Sequence, residues 1–264
     1  ETWDLLCQLA GRPDFLYIAD CKLATAENMT YIHGHGGKFV TVLPRTRKED
    51  NDFRSQLAAG GVVWRPVWEK EDEYGQIVDR FSISDAPMLT AEGFRLIWYH
   101  SSRKAELDAA ARATSIRRGL RELAELRQRL HGPRTRFQDQ AKVHDAVAEI
   151  LKQHDLSELI RVTVKQTCIE QFRQDHRGRP GPDTHYRKQV KWRFDLECEL
   201  DQEHLAAAEQ LDGVFPLVTN DCTLSELELL YAYKRQPLIE KRFEQMKTDF
   251  AIVPVWLKNV ELVD

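Results

Sequence analysis

Short apolar blocks near both ends of the chain alternate with helix-forming segments. A strand is predicted to end at Asp20, a helix is predicted over residues 24–34 with Thr25 as its N-cap, and a second strand over 38–43. A further strand is predicted over 212–219, with a helix after it. The hydrophobic pattern therefore predicts β/α structure at both ends of the sequence.

The middle of the chain has a different character. In order, the predicted elements are strands over 61–68 and 94–99, a helix over 101–130, a second helix to about 154, and strands over 159–172 and 185–200. The break at Gly132-Pro133 predicts that the two helices form a helical hairpin, over about 101–154.

These patterns divide the chain into a core and an insertion. We expect residues 1–52 and 210–264 to form an α/β core, and residues 53–209 to form a β-rich insertion that contains the helical hairpin. The division rests on the change of pattern near residue 50 and the return near residue 210.

Composition is that of an ordinary soluble protein. The 264 residues are 42% hydrophobic and 30% charged, and no run approaches the roughly 18 apolar residues of a membrane span. Five cysteines without a Cys-x-x-Cys spacing predict reduced thiols and a cytoplasmic location.

Charge is uneven although the net charge is only −4. Arg103–Arg136 contains ten basic and four acidic residues, and Arg161–Arg193 contains nine and three. Such blocks either follow a phosphate backbone or form solvated surfaces, and both interpretations stay open. Four tryptophans could stack on unpaired bases or, as the favoured alternative, pack in a β core: Trp64, Trp68, Trp98 and Trp192.

A heptad-spaced set of polar residues lies near the end of the sequence. Tyr233, Glu240 and Lys247 recur every seven residues, which places them on one stripe of a helix. This spacing resembles the Tyr-Arg-Glu-Lys signature of bacterial insertion-sequence transposases of the DDE type. The family arginine would fall at Gln236, whereas Arg235 is one position away.

The resemblance extends to three more segments. Asp20, after Phe-Leu-Tyr-Ile-Ala, resembles the family's second catalytic aspartate, residues 38–45 resemble the next core strand, and residues 212–220 resemble the strand before the glutamate helix. The resemblance implies a partial ribonuclease-H-like α/β core interrupted by the insertion.

The resemblance also implies function. Asp20 and Glu240 would be catalytic and would bind two Mg²⁺ (or Mn²⁺) ions, while Tyr233, Arg235 and Lys247 would contact DNA. The substrates would be terminal inverted repeats and target double-stranded DNA, bound by a homodimer in the bacterial cytoplasm at the nucleoid, with no membrane partner.

The first catalytic aspartate of the family has no match. Only nineteen residues precede Asp20, and neither Asp4 nor Asp14 has the matching context. We expect that acid to lie upstream, in a protein truncated here at both ends, so that the present chain holds an incomplete catalytic site.

Other interpretations stay open at this point. Local sequence alone favours Asp20 as a cap of the next helix and Glu240 as a solvated helix residue. The alternative functions are a catalytically dead transposase remnant that only binds DNA or another protein, and a host nuclease of the same fold.

Overall fold

The computed structural model of the chain describes residues 2–85, 88–132, 135, 137, 139–175, 178–181 and 185–235. These residues form two compact units. Unit 1 contains the described residues up to Ala105 and from Gly213 onward, and unit 2 contains those between Glu106 and Asp212.

Helices and strands alternate through unit 1 and into unit 2. In chain order they are α1 Thr2–Ala10, β1 Leu16–Ile18, α2 Ala26–Gly34, β2 Lys38–Val42, α3 Lys48–Ala58, β3 Trp64–Glu71, β4 Ile77–Ser84, β5 Met88–Leu89, β6 Arg95–Ser101, α4 Ser102–His131, α5 Gln140–Gln153, β7 Ile160–Gln174, β8 Tyr186–Leu200, α6 Gln202–Gln210 and β9 Val214–Thr219. A further helix, α7, covers residues 226–235 of the described chain.

Unit 1 is built on one mixed sheet in the order β1-β2-β9-β6-β4-β3, with β5 paired to β6. Strands β1 and β2 are parallel and are joined through α2, whereas the pairs β2–β9, β9–β6, β6–β4 and β4–β3 are antiparallel. The fold class is therefore mixed α/β, with its parallel pair at one edge of the sheet.

Both faces of this sheet are buried. Successive side chains of a strand point to opposite faces of the sheet. In β9, Val218 packs in one apolar cluster and its neighbour Leu217 packs in another. Residues of α1, α2 and α3, including Trp3, Met29 and Phe53, cover the first face. Leu229 and Leu230 of α7 are in the cluster on the second face, so unit 1 has three layers.

Local capping explains where two helices begin. Thr25 accepts a hydrogen bond from the Asn28 N–H at 3.2 Å, which makes it the N-cap of α2 as predicted. Before α7, Ser225 and Glu228 form a reciprocal capping box, because the Glu228 carboxylate accepts from the Ser225 N–H at 2.9 Å and the Ser225 hydroxyl accepts from the Glu228 N–H at 3.3 Å.

Unit 2 has its own apolar core. The core is formed by side chains of α4, α5, β7 and β8, among them Leu126, Val147, Ile160 and Phe194. Strands β7 and β8 form a separate two-stranded antiparallel sheet.

The division of the chain differs from the predicted one at its first boundary. The prediction placed residues 53–209 outside the core, but β4 and β6 hydrogen-bond into the same sheet as β2 and β9. Phe81 and Ile97 of these strands are buried in a cluster shared with β2 and β9. The boundaries between the two units therefore fall at Ala105/Glu106 and Asp212/Gly213.

Candidate functional site

Asp20 lies immediately beyond the carboxyl end of β1. The strand continues by one backbone hydrogen bond, from the Ala19 N–H to the Val40 carbonyl at 3.1 Å. The Asp20 carbonyl then accepts from the Thr41 hydroxyl at 2.7 Å, which fixes the backbone at this point. Its side chain is exposed. In open α/β sheets, ligands bind outside the carboxyl ends of parallel strands, and Asp20 occupies this position.

The Asp20 carboxylate does not cap helix α2, which Thr25 caps instead. Its Oδ1 accepts a hydrogen bond from the Lys22 N–H at 3.0 Å. Within the described part of the chain, this is the hydrogen bond that the structure gives the carboxylate. A short local turn thus holds the side chain in place and leaves ligand-binding capacity.

A cavity of about 500 Å³ opens beside Asp20. Its wall includes Trp3 and Tyr31 on one side and Tyr17 on the sheet. Burial raises the pKa of the Tyr17 hydroxyl, and the negative charge of Asp20 raises it further. Lys22 also lines the cavity, so the pocket contains an anion and a cation.

Tyr233 lies on the opposite face of the sheet from this cavity. It packs with the cluster that contains Leu217 and Ile18, and its ring stacks on Phe215 with centroids 6.0 Å apart. Ile18 of β1 packs against the same cluster as Tyr233, whereas Asp20 lines the cavity on the other face. Two strand spacings of about 4.8 Å separate β1 from β9, which carries Phe215.

Arg235, one of the predicted DNA contacts, is exposed at the end of the described chain. Glu240 and Lys247 lie outside the described residues, and their predicted roles stay predictions. The same holds for the two-metal site that the resemblance implies for Asp20 and Glu240.

A lysine outside the predicted site residues lies beside Tyr233. The Lys234 ammonium lies over the Phe81 ring, 4.9 Å from its centroid, and over the Phe215 ring at 5.3 Å. Burial lowers the pKa of Lys234, while the nearby charge of Asp79 acts in the other direction. The sequence signal that could have indicated it is its position next to Tyr233 in the motif.

The residues present fit a hard cation only in part. Asp20 offers carboxylate oxygen, which Mg²⁺ prefers. Among the described residues, no group of three or more His, Cys, Asp or Glu side chains gathers at one place. Asp20 offers one such ligand, and the metal site that the resemblance implies stays a prediction.

The chain matches no family model, no curated protein and no solved structure. In the part of the chain that the structure describes, none of the helices has the length and hydrophobicity to cross a membrane.

Proposed function

We propose that this chain is part of a DDE-type DNA transposase that cleaves and joins strands at the terminal inverted repeats of an insertion sequence. The observation that carries the proposal is the exposed Asp20 carboxylate at the end of β1 in a parallel β-α-β unit. This is the context in which the resembling family places its second catalytic aspartate. The finer assignment of unit 1 to a ribonuclease-H-like core is part of the same proposal.

Asp20 and Glu240 would each hold a divalent ion, and the family's first aspartate would complete the site. A divalent ion held there would supply Lewis-acid chemistry for the cleavage and joining of a phosphodiester. The chain's own contribution is positional: the Lys22 N–H and the Thr41 hydroxyl fix the backbone and carboxylate of Asp20 before metal binds. Helix α7, on which Tyr233 lies, packs on the sheet through Leu229 and Leu230.

The test is a cleavage assay on the protein expressed from its complete reading frame. The substrates are labelled duplexes copied from the DNA that flanks its gene, incubated with and without Mg²⁺. We expect metal-dependent nicking and strand joining, and we expect Asp20→Asn and Glu240→Gln each to reduce both by about 100-fold or more, since each removes a metal ligand.

Glu27→Gln is the matched control, because Glu27 is an exposed acid in the first turn of α2, close in sequence to Asp20. It should keep full activity. DNA binding, measured without metal, should survive all three substitutions. Cleavage that persists in Asp20→Asn would contradict the proposal.

A non-catalytic DNA-binding protein is the second candidate. It is favoured by the basic block Arg161–Arg193, which is exposed over most of its length in β7 and β8. The same assay separates the two, since this candidate predicts duplex binding with no metal-dependent cleavage from the complete reading frame.

A further inference from the structure

The two strands of unit 2 form a long ribbon with two different faces. Residues pair directly from Ile160 opposite Leu200 to Gln174 opposite Tyr186. Side chains alternate between the faces, so odd-numbered residues share one face and even-numbered residues share the other. The even face begins in the buried core, at Ile160, and becomes exposed beyond Phe194. We call residues 166–174 and 186–193 the distal ribbon.

The even face of the distal ribbon is aromatic and exposed. Trp192 and Val190 are each 48% exposed, Tyr186 is 53% exposed and Phe172 is 67% exposed. The odd face has a different chemistry, because it presents four exposed cations: Arg173, Arg187, Lys191 and Arg193. We call this odd side the cationic face.

Cations elsewhere on the ribbon are paired with acids. Arg161 pairs with Asp201 at 2.9 Å, Lys165 pairs with Glu197, and Lys188 on the aromatic side pairs with Glu170 at 2.6 Å. These pairs neutralise the ribbon near its base and on its aromatic face. They are the reference with which the cations of the cationic face are compared.

On the cationic face, one cation is paired and three are not. Arg187 pairs with Asp175 at 3.1 Å. Arg173, Lys191 and Arg193 have no ion pair within the described residues. Arg173 also stands directly opposite Arg187, and like charges directly opposite each other destabilise a strand pair. Such an arrangement is relieved by a polyanion bound along this face.

We propose that the distal ribbon binds B-form DNA, with the cationic face on the phosphates. Strands about 4.8 Å apart make a ribbon narrow enough for a major groove about 12 Å wide. Its eight paired positions, at about 3.3 Å each, extend about 26 Å, somewhat less than one turn of the duplex. The aromatic face with Trp192 and Phe172 lies on the opposite side of the ribbon and points away from the duplex in this arrangement. The inference deepens the proposed function and rests on it for the choice of DNA.

The experiment compares two double variants of the present chain with equal loss of charge. Lys191→Gln/Arg193→Gln removes two unpaired cations, whereas the control Lys165→Gln/Lys188→Gln removes two paired ones. Binding to a fluorescent 20-base-pair DNA duplex is followed by anisotropy at several salt concentrations, without metal. The variant with the conservative changes Lys191→Arg/Arg193→Lys keeps the charge and reports on folding.

We expect Lys191→Gln/Arg193→Gln to weaken binding about ten-fold or more at low salt, and the control to weaken it less than about three-fold. The slope of log K against log salt should fall by about 1.8 in the first variant, because each lost phosphate contact removes about 0.9. The charge-conserving variant should bind like the wild type. An RNA duplex of the same sequence should bind more weakly, since the major groove of A-form RNA is too narrow for a ribbon.

Equal losses in both double variants would overturn the proposal, because net charge alone would then explain binding. Equal affinity for DNA and RNA duplexes would overturn the groove geometry. A third outcome is that both double variants bind DNA as the wild type does, while Trp192→Ala changes the mass of the protein in sedimentation. This outcome would overturn the proposal and assign the ribbon to self-association. None of these results depends on cleavage. If the cleavage assay failed while DNA binding by the ribbon behaved as expected, only the proposed function would be overturned.

Discussion

At the scale of single residues, a partly buried ion network illustrates what stabilises unit 1. The Arg47 guanidinium binds Glu49 with distances of 2.7 and 3.1 Å and binds Glu92 with distances of 2.8 and 3.0 Å. Glu49 also accepts the Ala91 N–H at 2.8 Å. The side chains are mostly buried, so these charge-assisted bonds join the start of α3 to the segment before β6.

This network predicts a pH-dependent stability. The bonds from Arg47, then that from Ala91, lower the pKa of Glu49 from 4.5 to about 2 against the effect of burial. A lowered pKa in the folded state means that the stabilisation is full above about pH 4.5 and is lost as the pH falls towards 2. We expect Glu49→Gln to lower the free energy of unfolding by about 1.5–3 kcal/mol at pH 7.

The measurement is urea unfolding from pH 7 to pH 3, with the exposed Glu73→Gln as the control. The difference between wild type and Glu49→Gln should narrow as the pH falls below about 4.5, whereas Glu73→Gln should differ little from the wild type at any pH. A deficit of Glu49→Gln that stays constant down to pH 3 would show that the carboxylate charge is not what stabilises this site.

At the scale of elements, the residue before β9 has no room for a side chain. Gly213 has φ of +77°, and its carbonyl accepts from the Ser101 N–H at 3.0 Å. A Cβ at this position would collide with the Ser101 carbonyl and with Ala105. The sheet and the first turn of α4 therefore approach each other in unit 1 only because residue 213 has no side chain.

Substituting this glycine tests the packing. Gly213→Ala should pay both the left-handed strain, about 1–2 kcal/mol, and an overpacking cost of about 1–3 kcal/mol. Gly75→Ala is the matched control, because Gly75 has φ of +75° and open space around a Cβ. It should show the strain alone. Chemical unfolding of both variants measures the difference, and equal losses would contradict the close approach.

The sequence predicted elements whose apolar pattern is local. Strands β2 and β9 and the helices α4 and α5 were predicted at nearly their observed positions, and Thr25 was predicted as a cap. Helix α3 was missed because only Phe53 among its apolar residues is buried, so that it lacks an apolar stripe. Strand β4, Ile77–Ser84, was not predicted; it lies between the strands predicted over 61–68 and 94–99.

The remaining differences come from interactions between distant residues. Pairing of β6 with β9 over more than one hundred positions decides that residues 64–101 join the main sheet, and no local pattern encodes it. For the site, the position of Asp20 after a strand was predictable from the sequence. The stacking of Tyr233 on Phe215 depends on how α7 packs on the sheet.

At the scale of the whole molecule, the described chain has two units with separate cores. Leu217, fully buried in unit 1, packs with residues of the sheet and of α7, whereas Leu126, fully buried in unit 2, packs with residues of α4, α5 and the β7–β8 ribbon. The apolar clusters of the two units share no residue. In many proteins, regions with separate cores unfold as separate cooperative units.

Core substitutions should therefore act locally. Leu126→Ala and Leu217→Ala each remove a large buried side chain and should each cost about 2–5 kcal/mol in the unit that contains them. Hydrogen exchange followed by mass spectrometry should show faster exchange in α5 and β7 for Leu126→Ala, and faster exchange in β2 and β6 for Leu217→Ala. In the double variant, the two losses should add to within about 0.5 kcal/mol, as those of sites without shared contacts do. Faster exchange in β2 caused by Leu126→Ala would show that the two cores unfold as one.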